Sequence, residues 1–137
     1  VGEARGHGRE GLLQLDVNNI YVTSRNFGAG PHAYLAQLPL ERTCSVHVAG
    51  HYVEEDGLVI DTHGSEVIGP VWQLLQAAYQ RMGHPVPTCL ERDFNIPDLP
   101  TLVQEVAHIA HLQHQAFGAQ AVAQWGAQAH SVNRQVA

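Results

Sequence analysis

The sequence predicts an α/β fold with parallel strands, and two observations support this. Short apolar runs rich in Val, Leu and Ile alternate with segments whose apolar residues recur at helical spacing. Each apolar run ends in polar residues, as strands do where they leave a buried sheet. An alternating order of strands and helices indicates a parallel sheet with right-handed crossovers. Three such units form either a small open sheet or part of a (β/α)8 TIM barrel.

The three apolar runs are the predicted strands, and they cover residues 12–22, 44–50 and 87–93. A polar, glycine-rich lead-in, residues 1–11, precedes the first run. The second and third runs are short and continuous, which is typical of strands buried on both faces of a parallel sheet.

Three helices are predicted at residues 31–39, at 65–84 and from about 100 to at least 116. Ser65 is a suitable N-cap for the second helix, and Gly83 is a suitable C-cap. Asp98 or Thr101 is expected to cap the third helix. The Ala/Gln-rich tail, residues 116–137, is expected either to continue as a helix or to fray.

The length of 137 residues predicts one domain, a partial barrel with its core at 11–115 and its tail at 116–137. Neither an apolar run of membrane-spanning length nor a signal peptide is visible, so a cytoplasmic protein is expected. The two cysteines, Cys44 and Cys89, lie in separate apolar runs and are expected to be buried free thiols.

The charge balance argues against a nucleic-acid partner. The chain has a net charge of -6 and only seven Lys and Arg residues, so it offers no basic face for phosphates. It also contains ten histidines, and neutral imidazole is a common metal ligand and general base. The positions of these histidines therefore matter more than their number.

Polar residues collect where the predicted strands end, which is where parallel α/β proteins bind ligands. The residues that converge on this rim are Asp16, Asn18, Asn19, His47, His51, Asp61, His63 and Glu91. A mixed set of oxygen and imidazole donors suits iron, manganese or zinc, and the absence of thiolate from the set argues against a structural zinc site.

Each motif also has a purely structural interpretation. The segment 16–19 suits a tight turn, His47 suits a hydrogen-bonded core position, and 61–64 suits a helix entry. Glu91 is harder to explain without a cation, because a buried carboxylate is costly unless it has a strong partner. The coincidence of polar residues at several strand ends favours a metal site, whereas the histidines at 108, 111 and 114 are expected to be solvated.

Four stretches together resemble the multinuclear non-haem iron-dependent oxidases, a family that includes the oxidase of methanobactin biosynthesis. The stretches are LDVNNIYV, LPLERTCSVHVAGHYVEEDGLVIDTHGSEV, VWQLLQAAYQRMG and PTCLERDFNIP. The resemblance runs from about residue 11 to residue 106 and implies a xylose-isomerase-like (β/α)8 barrel, of which this sequence matches the C-terminal three units.

The resemblance also implies a ligand scheme. One metal would be held by Asp16, His47 and Glu91, and a neighbouring metal by Asn19, Asp61 and His63. His51 would act as a substrate-side acid or base or would support the ligands, and Asn18 would orient its neighbours. Asn19 stands where related metal-dependent nucleases and isomerases often have His, which favours iron redox chemistry over zinc hydrolysis.

By resemblance the protein is an oxidase with two or three iron ions, with zinc or manganese as alternatives. It would use dioxygen to modify cysteine residues of a ribosomally made precursor peptide, removing hydrogen from the cysteine β-carbon, with a partner protein presenting the peptide. The family's first strands supply further ligands, so a missing N-terminal barrel half, or self-association, is expected to complete the site. The alternatives are a metal-dependent hydrolase or isomerase of the same class, or a non-catalytic metal-binding fragment.

Overall fold

The computed structural model describes the backbone of residues 11–135 and the side chains of residues 11–128. The strands are β1 Leu13–Asp16, β2 Thr43–Ala49, β3 Tyr52–Val53, β4 Val59–Ile60 and β5 Thr88–Glu91. The α-helices are α1 Val17–Asn26, α2 Pro31–Leu35, α3 Gly69–Met82, α4 Leu99–Phe117 and α5 Ala119–Gln135, and a 3-10 turn lies at Leu40–Arg42.

The central element is a three-stranded parallel sheet in the order β1-β2-β5, which confirms the predicted α/β class with parallel strands. In this register Asp16 lies opposite His47, and Ala49 lies opposite Glu91. The strands β3 and β4 form a separate antiparallel hairpin between β2 and α3. Within the described residues, β1 and β5 are the two edges of the parallel sheet.

The two faces of the parallel sheet differ because successive side chains of a strand point to opposite sides. Leu15, Val46 and Val48 are buried in one hydrophobic core with α1, α3 and α4. The opposite face carries His47 and Glu91, which remain partly exposed. The helices therefore cover the apolar face and leave the face with the predicted ligands open in the described part of the chain.

The first predicted strand is wrong beyond Asp16, because α1 begins at Val17. The Asp16 carboxylate accepts a hydrogen bond from the backbone N–H of Asn19 and caps the helix. An apolar run alone does not show whether a segment is a buried strand or a buried helix. Here the Asp16 cap marks the point at which the strand ends and the helix begins.

The second predicted helix begins later than expected, at Gly69, with Ile68 as its N-cap. Ser65 does not cap it, because the Ser65 hydroxyl donates instead to the carbonyl oxygen of His51 at 2.7 Å. Gly83 is confirmed as the C-cap, with a left-handed φ of 78°. Asp98 is confirmed as the cap of α4 and accepts from the Thr101 backbone N–H.

The predicted tail is helical over Ala119–Gln135, although Gly118 separates this helix from α4, and the last two residues of the tail lie outside the described residues. None of the described helices combines the length and the apolar character needed to cross a lipid bilayer. Cys44 and Cys89 are free thiols as predicted, but both are exposed rather than buried. Cys89 is exposed because its strand, β5, presents it on the sheet face that the helices do not cover.

Asn26 fastens the hairpin to the end of α1. Its amide nitrogen donates to the carbonyl oxygen of Val59 at 2.8 Å, and its amide oxygen accepts from the Val59 backbone N–H at 2.9 Å. These two bonds give the backbone N–H and C=O of Val59 the partners that a neighbouring strand would provide at the edge of β4. The hairpin is thereby held beside α1, so that His51 and Asp61, which flank it in sequence, lie near Asn18.

Candidate metal centre

Two groups of acidic and histidine side chains converge at the carboxyl end of the parallel sheet. The first consists of Asp16, His47 and Glu91, and the second of Asp16, Asp61 and His63. In each group, one ligand atom from every residue lies within 4.8 Å of the others. Asp16 belongs to both groups, so the two candidate sites adjoin.

The register of the sheet builds the first group. Asp16 and His47 are direct neighbours across β1 and β2. Glu91 lies two residues beyond Cys89, the neighbour of His47 on β5, so its side chain emerges on the same face. The His47 Nδ1 atom lies 2.7 Å from a carboxylate oxygen of Glu91.

The second group depends on the loop that follows β4. His63 Nε2 lies 3.0 Å from Asp61, and His63 Nδ1 lies 3.3 Å from the second carboxylate oxygen of Glu91. His63 has a φ of 53°, in the left-handed region. Backbone bonds hold it there, because its N–H donates to Gly50 at 3.1 Å and its carbonyl accepts from Asp93 at 2.9 Å. Glu91 therefore contacts both groups.

Asn18 and Asn19, in the first turn of α1, hold Asp61 in place. The amide nitrogen of Asn19 donates to one carboxylate oxygen of Asp61 at 3.3 Å. The amide nitrogen of Asn18 donates to the other oxygen and to the carbonyl of Gly50. Asn18 is fully buried, so these bonds fix its orientation, and the predicted orienting role has a clear geometry.

The same amide determines the protonation of His51. Two acceptors face the amide nitrogen of Asn18, so the amide oxygen of Asn18 is the atom that lies 2.9 Å from His51 Nδ1. An amide oxygen can only accept a hydrogen bond, so Nδ1 donates its proton to it. His51 Nε2 therefore carries the lone pair. Burial lowers the pKa of His51, and the charge of Asp61 partly opposes this effect, so the ring is neutral near pH 7. The ring also stacks on Tyr21, with centroids 5.1 Å apart.

Asp16 has a raised pKa, mainly because burial disfavours its ionised form. The negative charge of Asp61 acts in the same direction. The helix-capping bond from Asn19 opposes it, as do the nearby His63 and His47. Ionising Asp16 therefore costs free energy in this fold, mainly because the carboxylate is buried.

We expect Asp16→Asn to stabilise the metal-free protein at pH 7. A folded-state pKa above the ordinary 3.8 means that the fold loses stability as the pH rises above 3.8, and the full loss is reached above the raised pKa, where Asp16 is ionised in both states. Asn removes this charge and is an equally good helix cap. The advantage of the variant should shrink as the pH falls and disappear below 3.8, where Asp16 is protonated in both states. Urea unfolding midpoints test this prediction. They are measured in the presence of a chelator between about pH 3 and 7, because carboxyl groups titrate within this range. A lower midpoint for the variant at pH 7 would contradict it.

All six side chains predicted from the sequence as ligands lie on this rim, namely Asp16, Asn19, His47, Asp61, His63 and Glu91. Their role as ligands stays a prediction. His51, the predicted catalytic residue, lies behind them and contacts Asp61 through Asn18.

Sequence reasoning missed two neighbours. Gln14 lies with its amide 2.8 Å from His47 Nε2, and Asp93 lies 3.4 Å from His63 Nδ1. Gln14 was detectable, because it precedes Asp16 by two residues and so shares its face of β1. Asp93 follows Glu91 at the end of the third predicted run, but its contact with His63 could not be predicted, because it lies beyond the end of β5, where strand alternation no longer determines direction.

The chemistry of the donors fits a transition-metal cation. Carboxylate and imidazole groups suit iron, manganese and zinc, and neither ligand group contains a thiolate. Within the described side chains, the ion pairs of Asp61 and Glu91 are all with His47 or His63 and none is with an arginine. Clustered carboxylates without a fixed cationic partner repel one another, and a bound cation would remove that repulsion.

Comparison with known proteins places these residues in a wider context. A family model described as the RiPP precursor modification enzyme MbnB/TglH/ChrH matches residues 9–114. Similar proteins include a UPF0276 protein of Shewanella amazonensis, 54% identical over 105 residues, which are 77% of this chain and 37% of that protein. A UPF0276 protein of Alcanivorax borkumensis is 54% identical over 101 residues, 74% of this chain and 33% of that protein.

A UPF0276 protein of Neisseria meningitidis serogroup B is 50% identical over 105 residues, 76% of this chain and 38% of that protein. The chain thus spans between a third and two fifths of the length of these relatives. The matched segment contains every residue of the two ligand groups.

Proposed function

The chain belongs to the RiPP precursor modification enzyme family MbnB/TglH/ChrH, and on that basis we propose that it forms the metal-holding part of an iron-dependent oxidase acting on a precursor peptide. The observation that carries this proposal is the pair of adjoining ligand groups that share Asp16 and are joined by Glu91. A site for two neighbouring ions is what a multinuclear oxidase requires.

In this assignment Asp16, His47 and Glu91 hold one iron, and Asn19, Asp61 and His63 hold its neighbour. Bound iron would supply the redox chemistry by which dioxygen oxidises a cysteine side chain of the peptide. Zinc and manganese suit the same donors, and the preference for iron rests on the family rather than on the donor types.

The side chains around the ligands orient them and provide a proton acceptor. Asn18 and Asn19 restrain both oxygens of Asp61, so this carboxylate cannot rotate freely. His51 is neutral, with its proton on Nδ1, so its Nε2 lone pair is the atom that would accept a proton during substrate oxidation. We assign His51 to that role.

Further chain is proposed to cover the open face of the sheet. The ligands lie on that face, and both sheet edges are unpaired within the described residues. An exposed apolar stripe, Leu99, Val103 and Val106, also runs along α4. Such features are usually covered in a stable protein. A TIM barrel completed by additional strands, or by a second copy of the chain, would cover them, and a peptide-presenting partner would deliver the substrate in the cytoplasm.

Anaerobic titration with ferrous iron tests the metal assignment. We expect the chain to retain two ions, and Mössbauer spectra after oxidation to show two antiferromagnetically coupled irons. His47→Ala should lose iron, whereas His108→Ala should not, because His108 packs against Trp72 away from the ligand groups. Failure to retain iron, or equal retention by the His47 variant, would refute the assignment.

The oxidase activity needs a separate measurement. A cysteine-containing precursor peptide, incubated with the iron-loaded protein, its presenting partner and dioxygen, should change mass at the cysteine. Retention of zinc in preference to iron, with no consumption of oxygen, would instead favour a hydrolase or isomerase of the same structural class.

A further inference from the structure

We propose that Glu105 is a positioning residue that holds together the two segments carrying the metal ligands. This inference rests on the proposed function, because it concerns the same site. Glu105 lies on α4, and its two carboxylate oxygens bind different parts of the chain. One accepts from the Arg92 guanidinium at 2.7 Å, and the other accepts from the Val67 backbone N–H at 3.1 Å.

Both partners of Glu105 are close in sequence to candidate ligands. Arg92 immediately follows Glu91 at the end of β5. Val67 lies four residues after His63, in the loop that carries Asp61 and His63 toward α3. Glu91 and His63 contact each other at 3.3 Å, so the distance between these two segments sets the geometry of the shared part of the site. Glu105 bonds to both segments from helix α4.

The burial of the Arg92 and Glu105 side chains restricts their movement. The side chains of Arg92 and Glu105 are 7% and 13% exposed, so neither can rotate into solvent without breaking the pair. The Arg92 Nε atom is buried without a hydrogen-bond partner. Burying this charged group costs free energy, so stability alone does not explain the ion pair. A well-packed apolar pair would stabilise the fold equally well. The ion pair adds a fixed position of Glu105 relative to Arg92.

The same helix offers a matched control. Gln113 also links α4 to β5 and to α3, but at the end of the sheet that lies away from the ligands. Its amide nitrogen donates to the Val86 carbonyl at 2.9 Å and lies 3.4 Å from both Tyr79 and Thr88. Removing the Gln113 amide should therefore weaken helix packing without disturbing the ligand segments.

Ferrous iron titrations of the 137-residue chain compare Glu105→Gln, Glu105→Ala and Gln113→Ala. We expect Glu105→Ala to weaken iron binding by about 10- to 100-fold, the usual effect of losing a group that orients ligands. Glu105→Gln keeps one acceptor oxygen and should lose less. Gln113→Ala should lower the urea midpoint and leave iron affinity unchanged. Equal weakening by Gln113→Ala, or unchanged affinity in both Glu105 variants, would overturn the proposal.

Hydrogen exchange in the metal-free protein separates this inference from the proposed function. The His63 N–H donates to Gly50, and the Asp93 N–H donates to His63, so both amides report on the ligand segments. They should exchange faster in Glu105→Gln than in the wild type, and unchanged rates would overturn the positioning role. Failure of the wild type to take up iron would refute the proposed function, whatever the exchange rates show.

Discussion

Replacing Glu91 with glutamine is expected to release both metal ions. Glu91 belongs to the first ligand group through His47, and it contacts His63 of the second group with its other oxygen. Glutamine keeps the shape but removes the negative charge and one of the two acceptor oxygens. Groups that merely support ligands change affinity by about 10- to 100-fold, so the loss of a shared carboxylate should reach at least about 100-fold.

Asp93→Asn is the matched control for this variant. Asp93 lies two residues further on, is 67% exposed, and is 3.4 Å from His63, but it belongs to neither ligand group. It should therefore change iron affinity far less than Glu91→Gln. Anaerobic calorimetric titration with ferrous iron measures both variants, and circular dichroism verifies that each is folded. Two ions bound with normal affinity by Glu91→Gln would disprove the joining role of Glu91.

The convergence of the candidate ligands could be predicted from the sequence where strand geometry controls it. The carboxyl ends of parallel strands meet at one edge, and alternation places residues two apart on one face. These two rules are enough to bring Asp16, His47 and Glu91 together. The predicted alternation of strands and helices is a pattern of apolar residues, and it needs no knowledge of side-chain contacts.

The remaining features depend on contacts that no local pattern specifies. The positions of Asp61 and His63 follow from a loop held by Gly50 and by the Asn18 amide, both distant in sequence. Ser65 has the chemistry of a helix cap, but its hydroxyl is taken by the carbonyl of His51. Cys89 lies in an apolar run typical of a core strand, but it is exposed because, within the described residues, helices cover only the other face of the sheet.

Gly50 shows how closely the fold and the candidate site are coupled. It is buried between β2 and the hairpin, and its carbonyl accepts from the His63 N–H at 3.1 Å and from the Asn18 amide at 3.3 Å. A Cβ atom at this position would lie far inside van der Waals contact of the Ser65 and Glu66 carbonyl oxygens. Backbone atoms cannot move aside as a flexible side chain can, so the loop itself would have to shift.

We therefore expect Gly50→Ala to destabilise the protein by about 3 kcal/mol, at the upper end of the usual cost of overpacking. Because the displaced loop carries Asp61 and His63, iron binding should weaken as well. Gly126→Ala is the control, since its Cβ would meet nothing within 4 Å in the interior of α5. That variant should be stabilised by about 0.4–1 kcal/mol through the unfolded state. Urea unfolding with and without ferrous iron measures both effects. Normal stability and iron affinity in Gly50→Ala would mean that the loop is not held where the candidate site requires it.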